Sequence, residues 1–104
     1  MNIYNSFEYE GKTYHLRRLD GYDYFHAFEL GQNSVGNLGD IYAELIKASV
    51  IDDRGKNVFS LEASKKLPHP VLQALAGEIL AEHNKFAEEF EDSGVFKLTP
   101  RDSQ

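Results

Sequence analysis

Between residues 70 and 91, Val71, Leu72, Leu75, Ile79, His83, Phe86 and Phe90 recur at steps of three and four. That spacing brings side chains onto one face of an α-helix. A helix of this length runs roughly 30 Å, so it is a main element of any domain the chain builds, and its apolar stripe needs cover. Pro70 suits the first helical turn, where its missing N–H costs nothing. Pro68 disfavours helical geometry at Leu67 and so separates this helix from what precedes it. Gly77 in the middle costs about 1 kcal/mol against Ala, and its small size suits the close approach of another helix.

The rest of the chain supplies smaller elements. Residues 3–17 read as a β-hairpin. Ile3, Asn5, Phe7 and Tyr9 alternate with Tyr4, Ser6 and Glu8, and Thr13 to Arg17 repeat the mix, with Gly11 in the turn providing positive φ. An isolated hairpin is marginal, so one face must pack on helices or on a partner. Asp20 is a candidate N-cap for a helix over residues 20–30, with Tyr22, Phe25 and Phe28 at helical spacing and Gly31 as its stop. A turn-rich loop, 31–37, leads to a second helix over about 38–50 with the stripe Leu38, Ile41, Tyr42, Leu45 and Ala48, widened by Ile46 and Val50. Residues 51–59 read as a turn with a short extended piece at Asn57 to Phe59, and Ser60 caps a short helix from Leu61 to Leu67. The expectation is one α+β domain over residues 3–92, mainly α-helical, with an N-terminal β-hairpin followed by three to four helices. Residues 93–104 form a polar, mobile tail whose Val95, Phe96 and Leu98 could dock on the domain or on another chain.

Charge narrows the function classes. Eleven Lys+Arg against 17 Asp+Glu leave a formal charge of -6. A phosphate-neutralising nucleic-acid binder needs a basic footprint, and an anionic membrane surface attracts one, so neither partner is expected. No cysteine is present, which removes disulfides, thiolate nucleophiles and Cys-ligated zinc. The start of the chain lacks the basic and apolar run of a signal peptide, so the expected compartment is the cytoplasm.

Chemical motifs are scarce. His15, His26, His69 and His83 show no close metal-ligand spacing. Counting back from Gly55 in an EF-hand register puts Val50 at the first ligand position, where a carboxylate is required, so Asp52 and Asp53 read as a solvated turn. Gly31 and Gly36 have P-loop spacing, but Asn37 and Leu38 replace the lysine and hydroxyl that would follow. No serine sits in a nucleophile elbow. No catalytic residue, cofactor or metal is expected. The acids at Glu88, Glu89, Glu91 and Asp92 read as a solvated face or as an acidic surface for a basic partner.

Aromatic surplus stands out instead. Seven Phe and six Tyr are many for a small domain, which struggles to bury every large side chain. Aromatics left outside are enriched at protein interfaces. Tyr4, Tyr9 and Tyr14 on the hairpin, Tyr22 and Phe25 on the first helix, and Ile79, Phe86 and Phe90 on the last are therefore the candidate interface residues.

Three strings carry a family resemblance. The first is Phe7-Glu8-Tyr9-Glu10-Gly11-Lys12-Thr13-Tyr14 with Leu16-Arg17-Arg18-Leu19 and Asp23-Tyr24-Phe25. The second is Ala48-Ser49-Val50-Ile51-Asp52-Asp53-Arg54-Gly55-Lys56-Asn57-Val58-Phe59-Ser60, and the third is Leu67-Pro68 leading to Leu72, Leu75, Ile79 and Leu80. Together they resemble the small tail assembly chaperones of long-tailed bacteriophages and prophages. The resemblance spans roughly residues 3–86. It implies a non-enzymatic factor that binds the tape-measure protein in the host cytoplasm, keeps it soluble and helps bring tail-tube subunits to it. Self-association fits a long client that needs many copies. The competing expectation is a small structural component of the phage tail or head–tail connector. A small enzyme and an acidic inhibitor of a DNA-binding protein are weaker fits to the same residues.

Overall fold

The computed structural model describes residues 3–32 and 38–95. In order these form β1 (Ile3–Tyr9), β2 (Lys12–Arg17), α1 (Gly21–Gln32), α2 (Leu38–Ser49), β3 (Val50–Ile51), α3 (Leu61–Lys65) and α4 (His69–Ser93). The fold is α+β and mainly helical, with a three-stranded antiparallel sheet of order β1-β2-β3 on one side. The expected loop 31–37 falls largely on residues outside the described set, as does the tail from residue 96.

The hairpin turns at Glu10 and Gly11, both at positive φ (52° and 79°), the backbone that matches the twist of paired strands. Its alternation differs from the simple period of two. Ile3 pairs with Arg17, yet Asn5 pairs with Leu16, so Tyr4 is an extra residue in β1. A bulge of this kind shifts the phase of the strand. Tyr4 therefore joins Phe7 against the core, whereas Ile3 and Asn5 are exposed.

Helix α1 starts as expected. The Asp23 N–H donates to Asp20 Oδ1 at 2.8 Å, satisfying one orphan amide of the first turn. It does not stop at Gly31. The helix runs through to Gln32, and Gly31 is buried. A Cβ there would lie 2.4 Å from Ile41 Cα and 2.5 Å from Ile41 N. The glycine is thus the point where α1 and α2 touch backbone to backbone. Gly77 has the opposite setting: nothing approaches its Cβ position within 4 Å, so it mediates no close helix contact.

Helix α2 is the central element. Ile41, Ala43, Glu44, Leu45, Ile46 and Ser49 are all buried, which adds Ala43, Glu44 and Ser49 to the expected stripe, whereas Leu38 is exposed. Residues 50–51 continue from its last turn as β3 and pair with His15 and Leu16; this third strand is an addition to the expected hairpin. The freed carbonyls at the end of α2 find donors. Asn57 Nδ2 donates to Lys47 O (2.7 Å) and Ala48 O (3.0 Å), and Arg17 Nε donates to Ala48 O at 3.0 Å. Ser49 Oγ returns a bond to Arg17 O at 2.8 Å. Between β3 and α3, Asp52 Oδ1 accepts from the Arg54 and Lys56 amides. The Lys56 amide foremost holds its carboxyl below the usual range. The expected solvated turn is present. Ser60 caps α3, its Oγ accepting from Ala63 N at 3.1 Å.

The two glycines give opposite expectations. Gly31→Ala lowers the unfolding free energy by about 3 kcal/mol, the upper end of the cost of overpacking, because the obstacle is backbone. Gly77→Ala raises it by about 1 kcal/mol through helix propensity alone. Urea denaturation of the two variants beside the parent checks both signs.

Candidate functional site

Helix α1 faces α2 with Tyr24, Ala27 and Gly31. Residues one step round the helix then point away from the core. Tyr22 is 77% exposed and Phe25 67%. The Tyr22 ring stacks on His26 (5.8 Å, 16° between planes), and Tyr24 meets Phe25 edge-on at 5.6 Å. An open groove of about 760 Å³ runs along this face between Tyr22, Phe25, Phe28 and Glu29.

Helix α4 is buried at Leu75, Ala76 and Ile79, all in its first half. Beyond these, His83 stacks flat on Tyr24 (3.6 Å, 5°), locking α4 to α1. Arg18 reinforces that joint. Its Nε donates to Glu82 at 3.0 Å, and its guanidinium lies 4.7 Å from the centre of the Phe86 ring, within cation–π range. Phe86 and Phe90 continue the stripe, 6.1 Å between rings, at 40% and 41% exposure. They form one wall of a second groove, about 640 Å³, whose other wall is the β2–α1 connection at Arg17 to Gly21. Gly21 borders both grooves, so the two aromatic surfaces adjoin across the start of α1.

Of the residues singled out from sequence, Tyr22, Phe25, Phe86 and Phe90 come together on this surface. Tyr14 and Tyr4 pack against the core instead, and Tyr9 sits half-buried at the far end of the hairpin. Ile79 is corrected outright: at 4% exposure it belongs to the core cluster with Leu19 and Leu75 and offers no contact to a partner. The space between Tyr4, Arg18, Tyr24 and Ile79 is only about 10 Å³, so the inner end of the groove is closed. The Tyr4 hydroxyl is buried there and makes no hydrogen bond among the described residues. Ser49 lies close by but gives its proton to Arg17 O. Burial first, opposed in part by the neighbouring Ser49 and reinforced by the carboxylates of Glu82 and Glu78, pushes the Tyr4 hydroxyl up to about 12.

One polar constellation escaped sequence reasoning. Ser6 Oγ shares a hydrogen bond with His15 Nδ1 at 2.7 Å, and His15 Nε2 meets Asp53 Oδ1 at 2.6 Å. The residue types match those of a nucleophilic triad, but the setting differs. Ser6 and Asp53 are exposed, and none of the three residues lines either groove. Asp53, at 84% side-chain exposure, gives the imidazole only a solvent-screened charge. The chain acts as a clasp that ties the 52–55 turn to the outer face of β1 and β2. Ser6 and His15 are cross-strand partners, so the hairpin register was the signal that could have found this pair.

Among the described residues no group of His, Asp and Glu is placed to hold a metal ion, and no helix is long and apolar enough to cross a membrane. The chain matches no family model, no curated protein and no solved structure.

The buried Tyr4 hydroxyl sets a pH dependence. Its folded pKa lies above the ordinary 10.0, so between pH 10 and about 12 the unfolded chain loses this proton while the folded chain keeps it. Stability therefore falls as pH rises through that window. The loss is about 1–2 kcal/mol once screening at this half-buried site is allowed for. Tyr4→Phe abolishes that component. Denaturant midpoints from pH 8 to 12 for both proteins check it.

Proposed function

We propose that this protein is a non-enzymatic assembly chaperone of long-tailed phage, which covers the apolar helical faces of a tape-measure protein in the host cytoplasm until tail-tube subunits enclose it. The observation that carries the reading is the pair of adjoining grooves with Tyr22, Phe25, Phe86 and Phe90 at the surface. Exposed rings in a groove are the anchors that protein recognition favours, and a groove beside a helix suits a client helix laid into it. The net charge of -6 keeps a complex with a greasy client in solution. The sequence resemblance over residues 3–86 points the same way.

Co-expression with the tape-measure protein of the same phage tests the reading. The parent chain keeps the client soluble. Tyr22→Ser combined with Phe25→Ser lowers the soluble client roughly tenfold, the effect of losing about 1.4 kcal/mol of binding. Both sites are exposed, so the variant's own thermal unfolding stays close to the parent's. A client equally soluble with and without the parent chain overturns the proposal. So does mass spectrometry that finds the protein abundant in purified particles, which would make it a structural component.

A further inference from the structure

We infer that the groove between α4 and the β2–α1 connection takes an amphipathic helix whose apolar ridge is bordered by lysine and arginine. The inference rests on the reading of the protein as a helix-binding chaperone and names the chemistry of the segment it binds. Phe86, Ala87 and Phe90 present an apolar wall facing Leu19. The space, about 640 Å³, accommodates a few side chains from one ridge of a helix, the usual helix-in-groove mode.

Charge selects the occupant. The two cations that line the groove are already engaged. Arg17 donates to Ala48 O and lies 3.8 Å from Asp23, and Arg18 holds Glu82 and covers Phe86. Of the carboxylates here, Asp20 caps α1, but among the described residues those of the last turns of α4 are in no ion pair. Glu91 lines the groove, and the helical step puts Glu89 on the other side of the Phe86–Phe90 stripe. Glu88 and Asp92 lie in the same turns. Among the described residues none of the four is in an ion pair. The last turn of α4 holds no basic residue. A second copy docking symmetrically on this groove would set acidic rim against acidic rim, which costs free energy. A helix flanked by Lys and Arg meets apolar wall with apolar ridge and carboxylate with cation on both borders.

Two synthetic peptides of roughly 18 residues, each about 27 Å as a helix, test this. Both carry the same leucine ridge and one tryptophan; one has Lys and Arg flanks, the other Glu. The protein has no tryptophan, so peptide fluorescence anisotropy reports binding to the full chain directly. The basic peptide binds at least about tenfold more tightly than the acidic one, and the preference shrinks as salt rises from about 0.05 to about 0.5 M. Phe90→Ser removes binding without changing the circular dichroism spectrum, and Glu89→Lys with Glu91→Lys inverts the peptide preference.

Equal affinity for the two peptides, or indifference to Phe90→Ser, overturns the inference. A concentration-dependent dimer that Phe90→Ser dissolves gives the groove to a second copy. Peptide binding that appears only after deletion of residues 96–104 gives it to the chain's own end. Either result also overturns it. The chaperone reading fails separately, on client solubility. A client kept soluble by both the parent and the charge-reversed variant defeats the peptide chemistry alone.

Discussion

Five residues between Leu45 and Ile51 have no exposed surface: Leu45, Ile46, Ser49, Val50 and Ile51. They span the end of α2 and all of β3 without a linker, so the helical layer and the sheet share one buried stretch, broken by the half-buried Lys47 and Ala48. Each large apolar side chain in it contributes about 1.5–3 kcal/mol, but a helix end buried this deeply leaves carbonyls that must find donors. Asn57 and Arg17 supply them, and Ser49 returns the bond to β2. The polar junction and the apolar run are therefore one device. Removing Asn57 would leave Lys47 O without its side-chain donor, at a cost of about 1 kcal/mol. With the junction in place β2 is fixed by β3, α1 is pressed to α2 at Gly31, and α4 closes the remaining side.

The placement of the aromatic surface follows. The core needs α4 only over its first half, where Leu75, Ala76 and Ile79 are buried, yet the helix has 25 residues. Its second half leaves the core behind while keeping the same apolar periodicity. Helix α1 is in a similar position: it buries Tyr24, Ala27 and Gly31 and leaves Tyr22 and Phe25 exposed. The Tyr24–His83 stack and the Arg18–Glu82 pair hold the two overhanging surfaces at a fixed angle. These contacts set where the two surfaces meet without help from a partner.

Strong local signals were legible in the sequence. The helix expected over 70–91 is observed as His69–Ser93, the Asp20 and Ser60 caps are made, and the Gly11 turn closes the hairpin. Features that depend on distant partners were not. Val50 reads locally as the end of a helix and Ile51 as the start of a turn, and the pair becomes a strand only because β2 offers it an open edge. The Tyr4 bulge is a register event between strands, and it moves one tyrosine from the expected surface to the core. Gly31 reads as a stop because glycine commonly follows a helix end; its actual role is steric and set by Ile41 on another element. The site was half legible for the same reason. Periodicity assigns Ile79, Phe86 and Phe90 to one stripe, but only the length of the neighbouring elements decides where along it the cover ends.

The far end of α4 is also where the helix works against its own electrostatics. The C-terminal end of a helix carries partial negative charge, and acidic side chains there are unfavourable by about 0.3–1 kcal/mol each at low ionic strength. Glu88, Glu89, Glu91 and Asp92 crowd this end with no basic residue in the last turn. The main offset is the Gly94 cap, at φ 74°, with its N–H donating to Glu91 O. Such an arrangement is poor for an isolated helix and well suited to one completed by cations from another molecule. A basic partner would neutralise the rim, relieve the repulsion within α4 and cover Phe86 and Phe90 in a single step. Binding and helix stability at this end are then linked, each favouring the other by the same free energy. A partner bound there would steady the same last turns that hold it, so its departure would loosen both together.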